Sequence, residues 1–465
     1  MSMSHTALLS APDPSGPDLK SDRGQLRHRC GLCSKTGVKL LRCSACHAVR
    51  YCSRDHQSEH RSQHKSSCRN IKRLRADLDK RDQAIRNPTA GSPIQTNAFE
   101  THVGRFTEFD HTDDYMSVRM SLLDALRRQA TLDGVSEALE HLQDMLRLDR
   151  SDEFWLRDLA PPLMLQLDKD QECYDFLKWW LMVNPKDDEG AHDWVKDPPF
   201  LNIKDASVLE DVKYISAESV DVHHLAAVVL LKMKLLVDLV NIRLTRRVLK
   251  GRLPTEVLGI IAYHAVRSPI SCKWVNKNEC DLIDIQQTLQ MQIKILAMIT
   301  MRCNRAFPHL IFEVNRHVST PLDDNHPLLF FEEMVSLVQH SYPAWWQHDG
   351  VLELLQSARQ TASKVLDDEI ESMTLSRSPY LKTNQGTRRK DEYLLFLASC
   401  HRLWYYLDAV VEDVVSLNTE EEAVSSKKFY SSDAEREKLR VWLNRSGSLS
   451  SVSQSDDSNI NSNSV

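Results

Sequence analysis

Eight residues able to ligate a metal fall within 39 positions near the start of the chain: Cys30, Cys33, Cys43, Cys46, Cys52, His56, His64 and Cys68. They form two C-x-x-C pairs, one Cys-x-x-x-His and one His-x-x-x-Cys. Zinc takes four such donors in tetrahedral geometry, so eight donors hold two ions. A C-x-x-C turn puts both thiolates on one side of a tight loop. His64 and Cys68, four apart, share one face of a helix. Six of the chain's 11 cysteines lie in this window, which sets it apart from a chance group of buried thiols. His60, four residues from both His56 and His64, is the alternative donor to either, with His56 preferred for the first site. The window has few large apolar residues (Leu32, Val38, Leu40, Leu41, Val49 and Tyr51). Burial alone cannot offset its chain entropy, so metal binding supplies the folding free energy, roughly 10 kcal/mol per structural site. A site whose four positions are all filled by protein is structural rather than catalytic.

The segment resembles the MYND finger, through Cys30, Cys33, Cys43, Cys46, Tyr51, Cys52, Gln57, His64 and Cys68. The resemblance implies interleaved ligands: Cys30, Cys33, Cys52 and His56 on one zinc, Cys43, Cys46, His64 and Cys68 on the other. His56 stands where the family usually has Cys, an exchange zinc accepts. Arg61 stands where it usually has Trp; in relatives that Trp helps form a groove for short proline-rich peptides. The overall layout resembles a group of fungal proteins that join an N-terminal MYND finger to a large helical region, a likeness that brings no defined reaction.

The elements around the finger follow from pattern. Residues 1–27 are rich in Ser, Pro and Asp and are expected to be a disordered tail. The finger occupies 28–70. A charged helical stretch from Asn70 to Arg86 has little evident apolar face and reads as a solvated connector, and 87–113 as a linker, so 71–113 is connector and linker. Residues 114–443 form an all-helical body, and 444–465 a second disordered, Ser-rich tail. In the body, Val135, Ala138, Leu139, Leu142, Met145 and Leu146 mark one helical stripe, with Asp133–Gly134 read as the preceding turn. Phe154–Leu167 carries Pro161–Pro162, expected to start or kink its helix. Gln171–Leu181 follows, with Asp170 as cap. Helical hairpins near 35 residues suggest tetratricopeptide-like units. Val220–Lys250, apolar nearly all round in its first half, should be central; Leu282 to Ile299 marks another helix, and further helices are expected near 326–341, 349–372 and 389–416. The fold class expected is therefore mainly α.

The body shows no G-x-S-x-G, phosphate loop, H-E-x-x-H or G-x-G-x-x-G. A SET-domain methyltransferase, which can enclose such a finger, is also not expected: 29 residues precede Cys30 and no N-H-S-C run occurs. The chain is expected not to be an enzyme. Trp179–Trp180 and Trp345–Trp346 read as core anchors, His223–His224 as a surface or capping pair, His264 and His309 as core histidines. Cys173, Cys272, Cys280, Cys303 and Cys400 read as ordinary buried thiols of a reducing compartment. The start carries no apolar secretory segment, and Lys232, Lys234 and Asp238 interrupt the most apolar run, so no membrane span is expected. The expected compartment is intracellular, nucleus or cytoplasm. The function expected is a zinc-dependent protein-interaction scaffold whose partners are proteins. One alternative is a nucleic-acid-associated regulator, since Lys20 to Arg75 carries 15 Lys or Arg against three acidic residues, although the basic residues read as dispersed rather than striped. Another is a ubiquitin-ligase adaptor, from the F-box-like run Leu253 to Ile261; a Pro-initiated amphipathic helix gives the same string.

Overall fold

The computed structural model describes residues 24–88, 97–182, 200–215, 221–249, 255–304, 307, 311–312, 337, 340–375 and 385–416. A two-stranded antiparallel hairpin, β1 (Leu41–Arg42) and β2 (Arg50–Tyr51), opens the order. The helices are α1 (Arg54–Glu59), α2 (Arg61–Arg86), α3 (Ala98–Thr101), α4 (Asp110–Arg127), α5 (Leu132–Leu148), α6 (Leu156–Gln166), α7 (Asp170–Met182), α8 (Val222–Leu249), α9 (Thr255–Ala265), α10 (Pro269–Cys272), α11 (Glu279–Cys303), α12 (Val351–Leu375) and α13 (Gln385–Ser416). The protein is mainly α, with a small finger at its N-terminal side.

The core is built on α8. Its face is buried from Val222 through Val240, and it packs against α6, α7, α9, α10, α11, α12 and α13. Such a helix must place its polar side chains inside the protein. Lys234 reaches Asp170 at 2.6 Å, Asp168 at 3.2 Å and the Leu165 carbonyl at 2.9 Å. Lys232 donates to the Val208 carbonyl and Gln292. Asp238 accepts the backbone N–H groups of Arg267 and Ser268. Each buried charge thus has partners, the condition under which burial is tolerable. Earlier in the chain α4 packs on α5, α5 on α6 and α6 on α7, neighbour upon neighbour; α8 leaves that pattern by contacting several elements at once.

Several expectations need correction. The stretch 71–86 is not a solvated connector: it is the second half of α2, which buries Ile71, Leu74, Leu78 and Ile85 and packs on α4. The 87–113 segment is no plain linker either, since Ala98 and Phe106 are fully buried and Phe99 stacks edge-on against Tyr115. Within the tail expected to be disordered, Leu26 is buried and the Gly24 N–H donates to the Gln347 carbonyl at 2.8 Å; residues 1–23, like 417–465, lie outside the described residues. Asp133–Gly134 is not a turn but the first turn of α5, whose cap is Thr131: its hydroxyl accepts the Gly134 N–H at 3.1 Å. Pro161 and Pro162 sit inside α6 rather than at its start. The Trp pairs 179–180 and 345–346 are buried as expected. Cys280 is exposed, whereas Cys173 and Cys400 are buried. His264 is exposed and not a core residue; His309 and most of 326–341 lie outside the described residues. No helix among the described residues is long and apolar enough to cross a membrane.

Candidate metal centre

Each C-x-x-C pair sits in a turn that closes on itself. Ser34 N–H donates to the Cys30 carbonyl and His47 N–H to the Cys43 carbonyl. Both Ser34 and His47, one residue past the second cysteine, take positive φ, 56° and 57°. That backbone turns the two thiols of each pair to one side. Gly31 permits the hairpin to press in: a Cβ there would meet Val49 Cγ1 at 2.7 Å. Cys52 follows β2 directly, and Ser53 caps α1 by accepting the His56 N–H at 3.1 Å, which fixes His56 four residues beyond Cys52. His64 and Cys68 lie on the first two turns of α2.

These elements gather the donors into two sets, Cys30, Cys33, Cys52 and His56, and Cys43, Cys46, His64 and Cys68; within each set all donor atoms lie within 4.8 Å of one another. In the first, Cys33 Sγ–Cys52 Sγ is 3.7 Å and Cys52 Sγ–His56 Nδ1 is 3.2 Å. In the second, Cys43 Sγ–Cys68 Sγ is 3.8 Å and Cys46 Sγ–His64 Nε2 is 3.4 Å. A zinc tetrahedron with Zn–S near 2.3 Å and Zn–N near 2.0 Å has S–S edges of about 3.8 Å and S–N edges of about 3.5 Å. The observed spacings fit that ion. His60 is not a donor to either set: its Nδ1 lies 2.9 Å from the Tyr51 hydroxyl and its ring stacks on His64. Burial, with His60 alongside, holds the His64 imidazole down to about 4, so it is neutral, the form that donates to zinc. Burial pushes the Cys46 thiol up, further so beside Cys43 and Cys68; the positive ion is what makes that buried thiolate affordable.

The family model of the MYND finger matches residues 30–68. Residues 30–68 are a MYND finger. Comparison of the chain with curated proteins and with solved structures found no match. The two interleaved sets correspond to the two structural zinc ions of a MYND finger, and no donor position in either is left to water.

The finger is fastened to the body by contacts that sequence reading did not foresee. Asp133 of α5 accepts from Arg50 Nε at 2.6 Å and Nη2 at 2.9 Å, and from Arg42 Nη2 at 2.8 Å. Glu137, one turn on, pairs with Arg75, whose guanidinium also donates to the Cys46 carbonyl at 2.9 Å. The Thr131 hydroxyl donates to the Ala48 carbonyl at 2.6 Å. Against burial, which raises it, His141 and then Arg75 hold the Glu137 carboxyl down to about 2. The signal was present in the stripe Ile71, Leu74, Leu78 and Ile85, spaced at i, i+3, i+7 and i+14, which requires a partner for α2.

Other singled-out residues lie elsewhere. Arg61 and Gln57 are exposed on the outer face of α1 and α2. His224 is buried and its Nε2–H donates to the Arg157 carbonyl at 3.1 Å, so it is no surface residue. Leu253 and Pro254 of the F-box-like run lie outside the described residues; the remainder forms the start of α9, with Val257, Ile260 and Tyr263 exposed.

Proposed function

We propose that the chain is a non-enzymatic interaction protein in which a zinc-held MYND finger, fixed to a helical body, presents its outer face to protein partners. The supporting observation is the division of the finger's basic residues. Arg42, Arg50 and Arg75 are consumed in holding the body, which sets the finger's orientation. Arg61, Lys65, Arg69 and Lys72 are exposed along α2 at i, i+4, i+8 and i+11, a single stripe rather than a dispersed set. A positive stripe on a rigid helix favours an acidic protein segment as partner. With Arg50 engaged by Asp133, the contact surface centres on Arg54, Arg61 and the stripe beyond.

The same stripe supports nucleic acid as the second reading, through salt-dependent phosphate contacts. Fluorescence anisotropy on the full chain separates the two: an acidic peptide is expected to bind with salt-sensitive affinity, and R61E/K65E/R69E to abolish it. Binding of a random-sequence duplex with no binding of the peptide would replace the first reading by the second. For the non-enzymatic part, calorimetric titration with S-adenosylmethionine is expected to give only heat of dilution; a saturable isotherm overturns it.

A further inference from the structure

Away from the finger, α6, the start of α8 and the segment preceding α12 bring four titratable side chains together. His223 Nδ1 lies 3.1 Å from Asp221 Oδ1 and 3.8 Å from Asp158 Oδ2, and donor atoms of the three residues all lie within 4.8 Å of one another. A tetrahedral ion bound at about 2.0–2.2 Å spaces its donors by roughly 3.4 Å, and the two distances bracket that value.

The group differs from an ordinary capping pair in what it leaves unsatisfied. The Asp158 side chain is 8 % exposed, and its Oδ1 has no hydrogen-bond partner. The nearest donor nitrogens, His224 Nε2 at 3.7 Å and Arg157 Nε at 3.9 Å, both stand beyond hydrogen-bond length. The neighbouring buried carboxylate, Asp152, shows the contrast: it accepts the Leu156 and Arg157 N–H groups at 2.7 and 3.0 Å. His340 adds a second, separate deficit. Both of its ring nitrogens are buried with no hydrogen-bond partner, and its ring centroid lies 6.3 Å from that of His223. Two imidazoles on one zinc have centroids roughly 5 Å apart, so His340 would close by about 1 Å on binding. A buried carboxylate oxygen and a buried imidazole, each near His223, are left without hydrogen-bond partners, and a cation would satisfy the oxygen and one ring nitrogen. Asp221 is 27 % exposed and gives an ion a way in.

We propose that Asp158, Asp221 and His223, closed by His340, form a third metal site for a divalent ion of the zinc class. Two carboxylates with one or two imidazoles suit Zn²⁺, Co²⁺ or Mn²⁺ better than the all-oxygen ions Ca²⁺ and Mg²⁺, and the set lacks the thiolates of the finger. His224 Nε2, 3.7 Å from Asp158 Oδ1, is engaged by the Arg157 carbonyl at 3.1 Å, and His224 is outside the set.

The test is metal stoichiometry of the full chain. Zinc titration with elemental analysis is expected to give three ions per chain. Asp158→Asn and, on the partly exposed side, Asp221→Asn should each give two, with unchanged far-ultraviolet circular dichroism. In cobalt-loaded protein the third equivalent should add weak d–d absorption without further thiolate charge transfer. Added zinc should raise the Tm of finger-loaded wild type but not of either variant. A wild-type stoichiometry of two, with a proton in place of the ion, overturns the proposal, as does a third equivalent that persists in Asp221→Asn. Loss of helix in Asp158→Asn leaves Asp221→Asn and His223→Gln to decide.

Discussion

Arg50 and Asp133 form a two-pronged contact between the finger's second strand and the head of α5, with N–O distances of 2.6 and 2.9 Å. Arg42 meets the same carboxylate from the neighbouring strand. One carboxylate thereby gathers both strands of the finger onto the body, and planar guanidinium groups fix its angle as well as its position.

Asp133→Ala is expected to loosen the docked finger while leaving it folded. It strands two arginines at a half-buried interface, a loss of about 1–3 kcal/mol. Hydrogen exchange should quicken across β1, β2 and residues 131–135, with two zinc ions still held in the finger. Unchanged protection would show that the apolar face of α2 alone secures the docking.

Cys43→Ser should disrupt the second zinc site. Since α2 carries His64 and Cys68 yet packs on α4, the expected result is loss of one finger ion and fraying of the first turns of α2, with most helix in the body retained. Elemental analysis together with circular dichroism checks both parts. A finger binding fewer than two ions in fully reduced wild-type protein would remove the two-site reading.

Lys232 gives the body a pH dependence of known sign. Burial lowers its ammonium to about 7, opposed by Glu210, against about 10.4 in an unfolded chain. Between these values the unfolded state binds the additional proton, so stability rises with pH across the window. The cost of the charged form is fully present below about pH 7 and disappears as pH approaches the unfolded value. Lys232→Met, which keeps the volume, should flatten this rise, an effect on the order of a few kcal/mol at most. Denaturant midpoints of the two proteins at pH 7 and pH 9.5 measure it; parallel curves would place the effect elsewhere.

Arg61→Trp should create affinity for short Pro-x-Leu-x-Pro peptides. Arg61 is exposed, one helix turn from Gln57, and a flat aromatic wall there is worth about 1–2 kcal/mol, roughly tenfold in Kd. Fluorescence anisotropy with the full chain is the measurement. Tight binding by wild type, unaltered in the variant, would mean that Arg61 does not stand in for the groove's wall.

The zinc chemistry was readable in the sequence because metal ligation imposes residue types at fixed spacings; the interleaving of the eight donors was implied by the resemblance to the MYND finger, and the fold gathers them so. The long helices were readable for a similar reason: the stripe of α5, and the nearly uniform apolarity of α8, are local patterns set by helical periodicity and burial. His56, preferred over His60 in the sequence, needed the fold to be settled, since both lie at helical spacing and the Tyr51 hydroxyl engages His60. So did the role of α2. Its four apolar residues are outnumbered by charges, and their partner on α4 is distant in sequence. The pairing of Arg50 with Asp133, 83 residues away, and the meeting of the local pair Asp221 and His223 with Asp158 and His340 leave no trace in local pattern. The first arises where β2 meets the head of α5 and the second where α6 meets the start of α8, and only tertiary packing decides which charges face one another there.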